Sequence, residues 1–199
     1  MSRRNSGTVA DTDAALDPLG RPDPSDLYRI MFVCTGNICR SPMAEVITRN
    51  LAALTPLSDG TTLGSHLEVT SAGTGPWHEG EPMDPRTGDA LERAGYPRHA
   101  HIAHQVVTAR LGQCNLVVAL DRRHLQTLRG LGADPTRLSL LRAFDAAAGA
   151  AADVPDPYYG DARMFDDCLH MVTNGCRGLI DTLVTHWNAG PHMKAPKAV

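Results

Sequence analysis

The stretch Val33-Cys34-Thr35-Gly36-Asn37-Ile38-Cys39-Arg40-Ser41-Pro42 decides the fold of this 199-residue chain. An apolar run of strand length, 27–34, leads into it, and Met43, Val46, Ile47, Leu51 and Leu54 follow at helical spacing over 42–54. A buried strand therefore passes through a tight loop straight into a helix. Gly36 and Asn37 are residue types that tolerate positive φ, and Ser41-Pro42 reads as an N-cap followed by proline in the first turn. Successive N–H groups of such a loop converge on one point, where the helix dipole adds partial positive charge. The natural ligand is an anion with several oxygens. Arg40 adds a planar fork able to hold two oxygens of one phosphate, and Cys34 lies at the mouth of the cup, where its thiolate form is favoured. Cys34 is thus positioned to act as a nucleophile.

Further along the chain, apolar runs over 67–71, 116–120 and 138–141 read as strands. Helical periods occupy 85–94, stopped by Gly95 and Pro97; 121–131, stopped by Gly132 and Pro135; and 164–187, with a break expected near Asn174 and Gly175. Repeated β–α units with near-continuous apolar strands give an α/β fold. The expected architecture is a three-layer sandwich with a central four-stranded parallel sheet, helices on both faces and the phosphate-binding loop after strand 1. In such sheets ligands bind beyond the carboxyl ends of the strands, where Cys34 stands.

Residues 1–26 hold Pro18, Pro22, Pro24 and five Asp without apolar periodicity, and are expected to be a disordered leader. Residues 188–199, with Gly190, Pro191 and Pro196, read as a flexible tail, which leaves 27–187 as the working domain. With 42 % hydrophobic and 21 % charged residues the chain can bury a core as one domain, and a monomer is expected. A net charge of −3 gives no field to hold nucleic acid. No apolar run approaches the roughly 20 residues that span a bilayer, so no membrane partner is expected. Arg3 and Arg4 are not followed by an apolar segment, and five cysteines form no disulfide framework; a cytoplasmic protein is expected. Nine His and five Cys are scattered without zinc-ligand spacing, so neither metal nor cofactor is expected.

The segment from Val33 to Glu45 resembles the CX5R phosphate-binding loop of low-molecular-weight protein tyrosine phosphatases, and Asp156-Pro157-Tyr158-Tyr159-Gly160-Asp161 matches their second motif. Ser71-Ala72-Gly73-Thr74 followed by Trp77 looks like the family's segment after the second strand, and the Ala- and Gly-rich composition suits a GC-rich, actinobacterial source. The resemblance implies a hydrolase of phosphotyrosine and aryl phosphates, with phosphotyrosine-containing proteins as partners and phosphate or vanadate as loop ligands.

By this resemblance Cys34 attacks phosphorus to give a cysteinyl-phosphate that water hydrolyses. Arg40 and the N–H groups of Thr35, Gly36, Asn37, Ile38 and Cys39 hold the equatorial oxygens, and Ser41 hydrogen-bonds the thiolate. Asp156 is the general acid for the leaving tyrosyl oxygen, protonated with the help of the bound dianion. Asn37 holds the loop's strained backbone with Ser71 and His101 in support. Tyr158, Tyr159 and Trp77 form a slot deep enough to favour phosphotyrosine over the shorter phosphoserine. Cys39, five residues beyond the nucleophile, is a candidate partner for a reversible disulfide with it; Cys114, Cys168 and Cys176 read as structural. Two alternatives stand beside this reading. An arsenate reductase on the same fold needs a cysteine pair after the third strand, where this chain has Asp121-Arg122-Arg123-His124. A non-catalytic phosphotyrosine-binding module needs the cup but neither nucleophile nor acid.

Overall fold

A computed structural model describes residues 27–97, 99–149 and 153–188. The segments expected to be a leader, 1–26, and nearly all of the tail, 189–199, lie outside the described residues. Four parallel strands, β1 (Tyr28–Cys34), β2 (Leu67–Gly73), β3 (Leu116–Ala119) and β4 (Leu138–Leu140), form one sheet in the order β2-β1-β3-β4. The helices are α1 (Arg40–Leu54), α2 (Pro85–Arg93), a single turn α3 (Thr108–Leu111), α4 (Arg122–Gly130) and α5 (Ala162–Asn188).

Successive side chains of a strand point to opposite faces, and β1 shows what this does in a doubly covered sheet. Ile30, Phe32 and Cys34 join one core with Met43 and Ile47 of α1, Leu91 of α2 and Phe165, Val172 and Leu179 of α5. Met31 and Val33 join the other with Leu111 of α3 and Leu128 of α4. Because β1 pairs with β2 on one side and β3 on the other, the strand order reverses at its carboxyl end. Cys34 therefore emerges at the crevice where such sheets bind ligands.

Two local expectations are corrected. Helix α1 begins at Arg40 with Cys39 as N-cap and no side-chain cap, so Ser41 lies inside the first turn. Its hydroxyl is turned inward to Cys34 and Asn37 and is not available to cap the helix. Helix α5 runs without a break through Asn188, one residue beyond the expected domain end. The glycines in its middle serve packing. A Cβ on Gly175 would come within 2.7 Å of Leu141 Cγ, and one on Gly178 would collide with the carbonyl oxygen of Phe144.

Gly→Ala inside a helix normally adds stability, by up to about 1 kcal/mol. Here the sign should reverse. Gly178→Ala is expected to lower the urea midpoint by an amount equivalent to about 1 to 3 kcal/mol, since the added methyl meets backbone that cannot rotate away. A midpoint equal to or above the parent's would show that α5 does not press on Phe144.

Candidate active site

The loop from Cys34 to Arg40 is held from outside by its carbonyls. Those of Cys34, Thr35 and Ile38 accept from the N–H groups of Thr74, Gly75 and Asp84 at 2.8 to 3.0 Å. The N–H groups of Thr35 through Cys39 donate to no protein acceptor among the described residues, which leaves five successive unpaired donors in one loop. Such a nest is electropositive without any ionised side chain.

The turn that makes this curve possible is at Asn37, with φ at +58°. A non-glycine residue in that region is strained and needs surroundings that fix it. They are present: Nδ2 donates to Ser41 Oγ and Ser71 Oγ, both at 2.9 Å, and Oδ1 accepts from His104 N at 3.0 Å. The backbone carbonyl of Asn37 accepts from His101 Nε2 at 2.6 Å, and burial holds the His101 pKa below its usual value, which favours the neutral ring. The Ser71 hydroxyl in turn donates a hydrogen bond to Glu45 Oε2 at 2.6 Å. Gly36 does not take positive φ; a Cβ there would come within 2.7 Å of His78 Cδ2, so its role is close approach.

Cys34 Sγ lies 3.0 Å from Ser41 Oγ. The serine oxygen already accepts from Asn37, so its single proton goes either to the sulfur or to Ala72 O at 3.3 Å. A thiolate takes it, because a bond to an ionised acceptor is the stronger one.

Arg40 is only 3 % exposed. Its Nη1 donates to Asp121 Oδ2 at 2.9 Å and to Val154 O at 3.1 Å. Its Nη2 donates to Thr35 Oγ1 at 2.9 Å and to Asp156 Oδ2 at 2.5 Å. These four bonds use the four terminal protons. Nε is buried and has no partner among the described residues, which leaves one N–H for an exogenous oxygen. The carboxylate most easily displaced is Asp156, whose side chain is 44 % exposed against 17 % for Asp121.

Of the three aromatics expected to form a slot, Tyr158 has the most ring contacts. Its ring stands 5.7 Å from His78 and 4.9 Å from Tyr159, and the Arg86 guanidinium lies 5.9 Å above it. Tyr159 is 96 % exposed and rests edge-on against Tyr158, while Trp77, 68 % exposed, folds over Gly75. Of the three, only Tyr158 is partly buried, and Tyr159 and Trp77 are largely exposed. Cys39 is buried beside Thr87, and burial raises its pKa far above the usual thiol range.

Sequence reasoning passed over five side chains that hold these groups. Asp121, just past β3, caps α4 with Oδ1 and pairs with Arg40 through Oδ2. His124 Nε2 lies 2.9 Å from Thr35 Oγ1. Asp84 anchors Arg86, whose Nη2 and Nη1 donate to the carbonyls of Tyr158 and Gly160 at 3.0 and 3.1 Å and so shape the segment after Asp156. His78 packs between Gly36 and Tyr158. For Asp121 the signal was available: it is the first polar residue beyond a parallel strand next to β1.

Residues 29–188 match a family model described as low molecular weight phosphotyrosine protein phosphatase. The chain is 47 % identical over 157 residues to a low molecular weight protein-tyrosine-phosphatase of Streptomyces coelicolor, covering 77 % of this chain and 92 % of the relative. It is 44 % identical over 158 residues to low molecular weight protein-tyrosine phosphatase A of Mycobacterium tuberculosis, covering 79 % and 92 %. Among solved structures, YfkJ of Bacillus subtilis superposes with a TM-score of 0.71 at 32 % identity, over 82 % of this chain and 99 % of that one.

Burial, with Arg40 beside it, pushes the His124 pKa down to about 4. An unfolded chain takes up this proton near the ordinary value of about 6.5. Between those values the unfolded state binds more protons, so stability is lost as pH falls through that window, on the order of 3 kcal/mol by its lower end. The urea midpoint of the parent should therefore fall more steeply from pH 6.5 to 4.5 than that of His124→Gln. Parallel slopes would show that His124 is not held neutral.

Proposed function

The chain belongs to the low molecular weight phosphotyrosine protein phosphatase family, and from that membership and the geometry of the Cys34 loop we propose that it hydrolyses phosphotyrosine in proteins and small aryl phosphates through a cysteinyl-phosphate. The observation that carries the reading is the meeting, on one buried guanidinium, of the loop that begins at Cys34 with an acidic side chain 116 residues away, Asp156.

The phosphoryl dianion enters the nest of N–H groups from Thr35 to Cys39 and takes the Nε–H of Arg40. It competes with Asp156 for Nη2, and the released carboxyl, next to a dianion, is favoured in its protonated form. Cys34 Sγ attacks phosphorus; as the S–P bond forms and the P–O bond to the aryl group breaks, Asp156 gives its proton to the departing oxygen. Ser41 stabilises sulfur as thiolate, which matters most in the second step. There water attacks phosphorus, Asp156 takes its proton, the S–P bond breaks and inorganic phosphate leaves. The five N–H groups and Arg40 fit an equatorial plane of developing negative charge, where most of the stabilisation in phosphoryl transfer arises. Tyr158, with His78 behind it, forms the wall against which the substrate ring lies, and Trp77 and Tyr159 extend it outward. Asn37, Ser71 and His101 act as support for the loop.

Arsenate reduction is disfavoured by the remaining thiols. Burial pushes Cys168 and Cys176 up to about 12 and raises Cys114, so each stays a protonated thiol at neutral pH. A phosphotyrosine-binding module would not need Ser41 on Cys34 or a displaceable carboxyl on Arg40. No helix among the described residues is long and apolar enough to cross a membrane, and the odd cysteine count supports a cytoplasmic site of action.

The test is steady-state hydrolysis of an aryl phosphate and a phosphotyrosine peptide. The parent should turn over both and be inhibited by vanadate. Cys34→Ser should be inactive, and Asp156→Asn should lose about 10²- to 10⁴-fold in kcat. Arsenate reduction without phosphate release, or phosphate binding without turnover, would replace this reading by the reductase or the binding module respectively.

A further inference from the structure

His124 takes no part in the chemistry above, yet it is a buried imidazole, 3 % exposed, in the first turn of α4. Its two ring nitrogens face two residues that Arg40 also uses. Nε2 is 2.9 Å from Thr35 Oγ1, to which Arg40 Nη2 donates at 2.9 Å. Nδ1 is 3.1 Å from Asp121 Oδ1, whose other oxygen accepts from Arg40 Nη1 at 2.9 Å. Arg40, Thr35, His124 and Asp121 thus close a ring in which each side chain meets two of the others.

The ring has a direction. Arg40 can only donate and Asp121 only accept. A carboxylate oxygen opposite Nδ1 repels a ring lone pair and favours the tautomer with its proton there, although Nδ1 is not aligned for a good hydrogen bond. Nε2 is then an acceptor, and the Thr35 hydroxyl accepts from Arg40 while donating to His124. An imidazolium could not accept, and it would set a second positive charge against the guanidinium. Arg40 opposes that protonation, with burial, while Asp121, Asp156 and Asp153 favour it; the balance keeps the ring neutral.

Resting on the phosphatase reading, we propose that His124 is a positioning residue of the reaction: by pinning the Thr35 hydroxyl and facing Asp121 it fixes the roll of the Arg40 guanidinium, keeping Nη1 on Asp121 and leaving Nε–H for a phosphoryl oxygen. Without this lock Thr35 Oγ1 can rotate and the guanidinium can tilt toward its carboxylates. The loss falls on the transition state, where the equatorial oxygens must be met at fixed positions.

Two readouts on His124→Leu and His124→Gln test this. The first is kcat and KM for an aryl phosphate. The second is the ratio of Cys34 alkylation rates by iodoacetate and by iodoacetamide, since the anionic reagent depends on the placed guanidinium and the neutral one does not. His124→Leu is expected to lower kcat/KM about tenfold, mainly through kcat, and to lower the alkylation ratio several-fold. His124→Gln, whose side-chain oxygen can still accept from Thr35, should recover most of both. Thr35→Val should add little to His124→Leu, because both break the same ring. Parental kcat and ratio in His124→Leu would overturn the proposal. So would an equal slowing with both reagents, or Thr35→Val and His124→Leu losses that multiply. Should His124→Leu fail to fold, a Thr35→Val protein with the parental ratio would overturn it, and a low ratio there with His124→Gln near the parent would support it. If the parent does not hydrolyse aryl phosphates, the phosphatase reading fails by itself, while the alkylation ratios still decide whether His124 places Arg40.

Discussion

A buried guanidinium at the carboxyl edge of the sheet is the constraint around which this structure is arranged. An ionised group removed from water costs several kcal/mol unless its hydrogen-bonding capacity is met, and Arg40 meets it by drawing on separate parts of the chain. Thr35 comes from the loop, Asp121 from the end of β3, and Val154 and Asp156 from the segment that leads to α5. The sheet order makes this possible, because β1 lies between β2 and β3 and delivers the loop to the same edge of the sheet as Asp121. Two carboxylates on one cation, beside Cys34, leave a surplus of negative charge. A phosphoryl dianion adds to that surplus, so its entry requires the more exposed carboxylate to leave Arg40 and take up a proton, as proposed for Asp156.

Strain forms the second layer of the arrangement. Asn37 is the only non-glycine with positive φ among the described residues, and every polar atom of its side chain is occupied. Its partners come from α1, from β2 and from the segment after Tyr96, so the strained turn is fixed by three elements that the packed sheet already holds in place. Ser41 belongs to both layers: it accepts from Asn37 and stands 3.0 Å from the Cys34 sulfur. The geometry of the nucleophile is therefore a consequence of the turn.

What could be read from the sequence was whatever is encoded locally. Periodicity changes from strand to helix across Val33 to Pro42, which marks β1, the loop and most of α1; the other three strands and helices α2, α4 and α5 lie within a few residues of their expected ends, while the single turn α3, too short for a helical period, was not expected. Asp156 was legible only through its Pro-Asp-Pro-Tyr-Tyr setting. Asp121 and Asp84 escaped notice because each already has a sufficient local role as a helix N-cap, through one carboxylate oxygen. In Asp121 the second oxygen carries a long-range function, holding Arg40, whereas Asp84 holds the nearby Arg86, whose guanidinium makes the long-range bonds to Tyr158 and Gly160; no local pattern records either. The expected break in α5 fails for a related reason. Gly175 and Gly178 are explained by Leu141 and Phe144, which only the folded packing brings to that helix.

The cysteines show how far environment outweighs residue type. Of five, four are held as protonated thiols by burial: Cys114 in the core beneath α3 and α4, Cys168 and Cys176 on the inner face of α5, and Cys39 behind the loop next to Thr87. Cys39 is five residues from Cys34 and shares its loop, yet it is set apart by what surrounds it. Burial disfavours negative charge on its sulfur most, Asp84 and Asp156 add to that, and the hydrogen bond with Thr87 offsets only part of it. Cys34 is equally buried but has a serine hydroxyl at hydrogen-bond distance and opens onto the nest of N–H groups. Two thiols on one short loop thus meet different surroundings: Cys34 has the Ser41 hydroxyl and the unpaired loop N–H groups on its side of the turn at Asn37, and Cys39 lies buried beside Thr87 and Asp84.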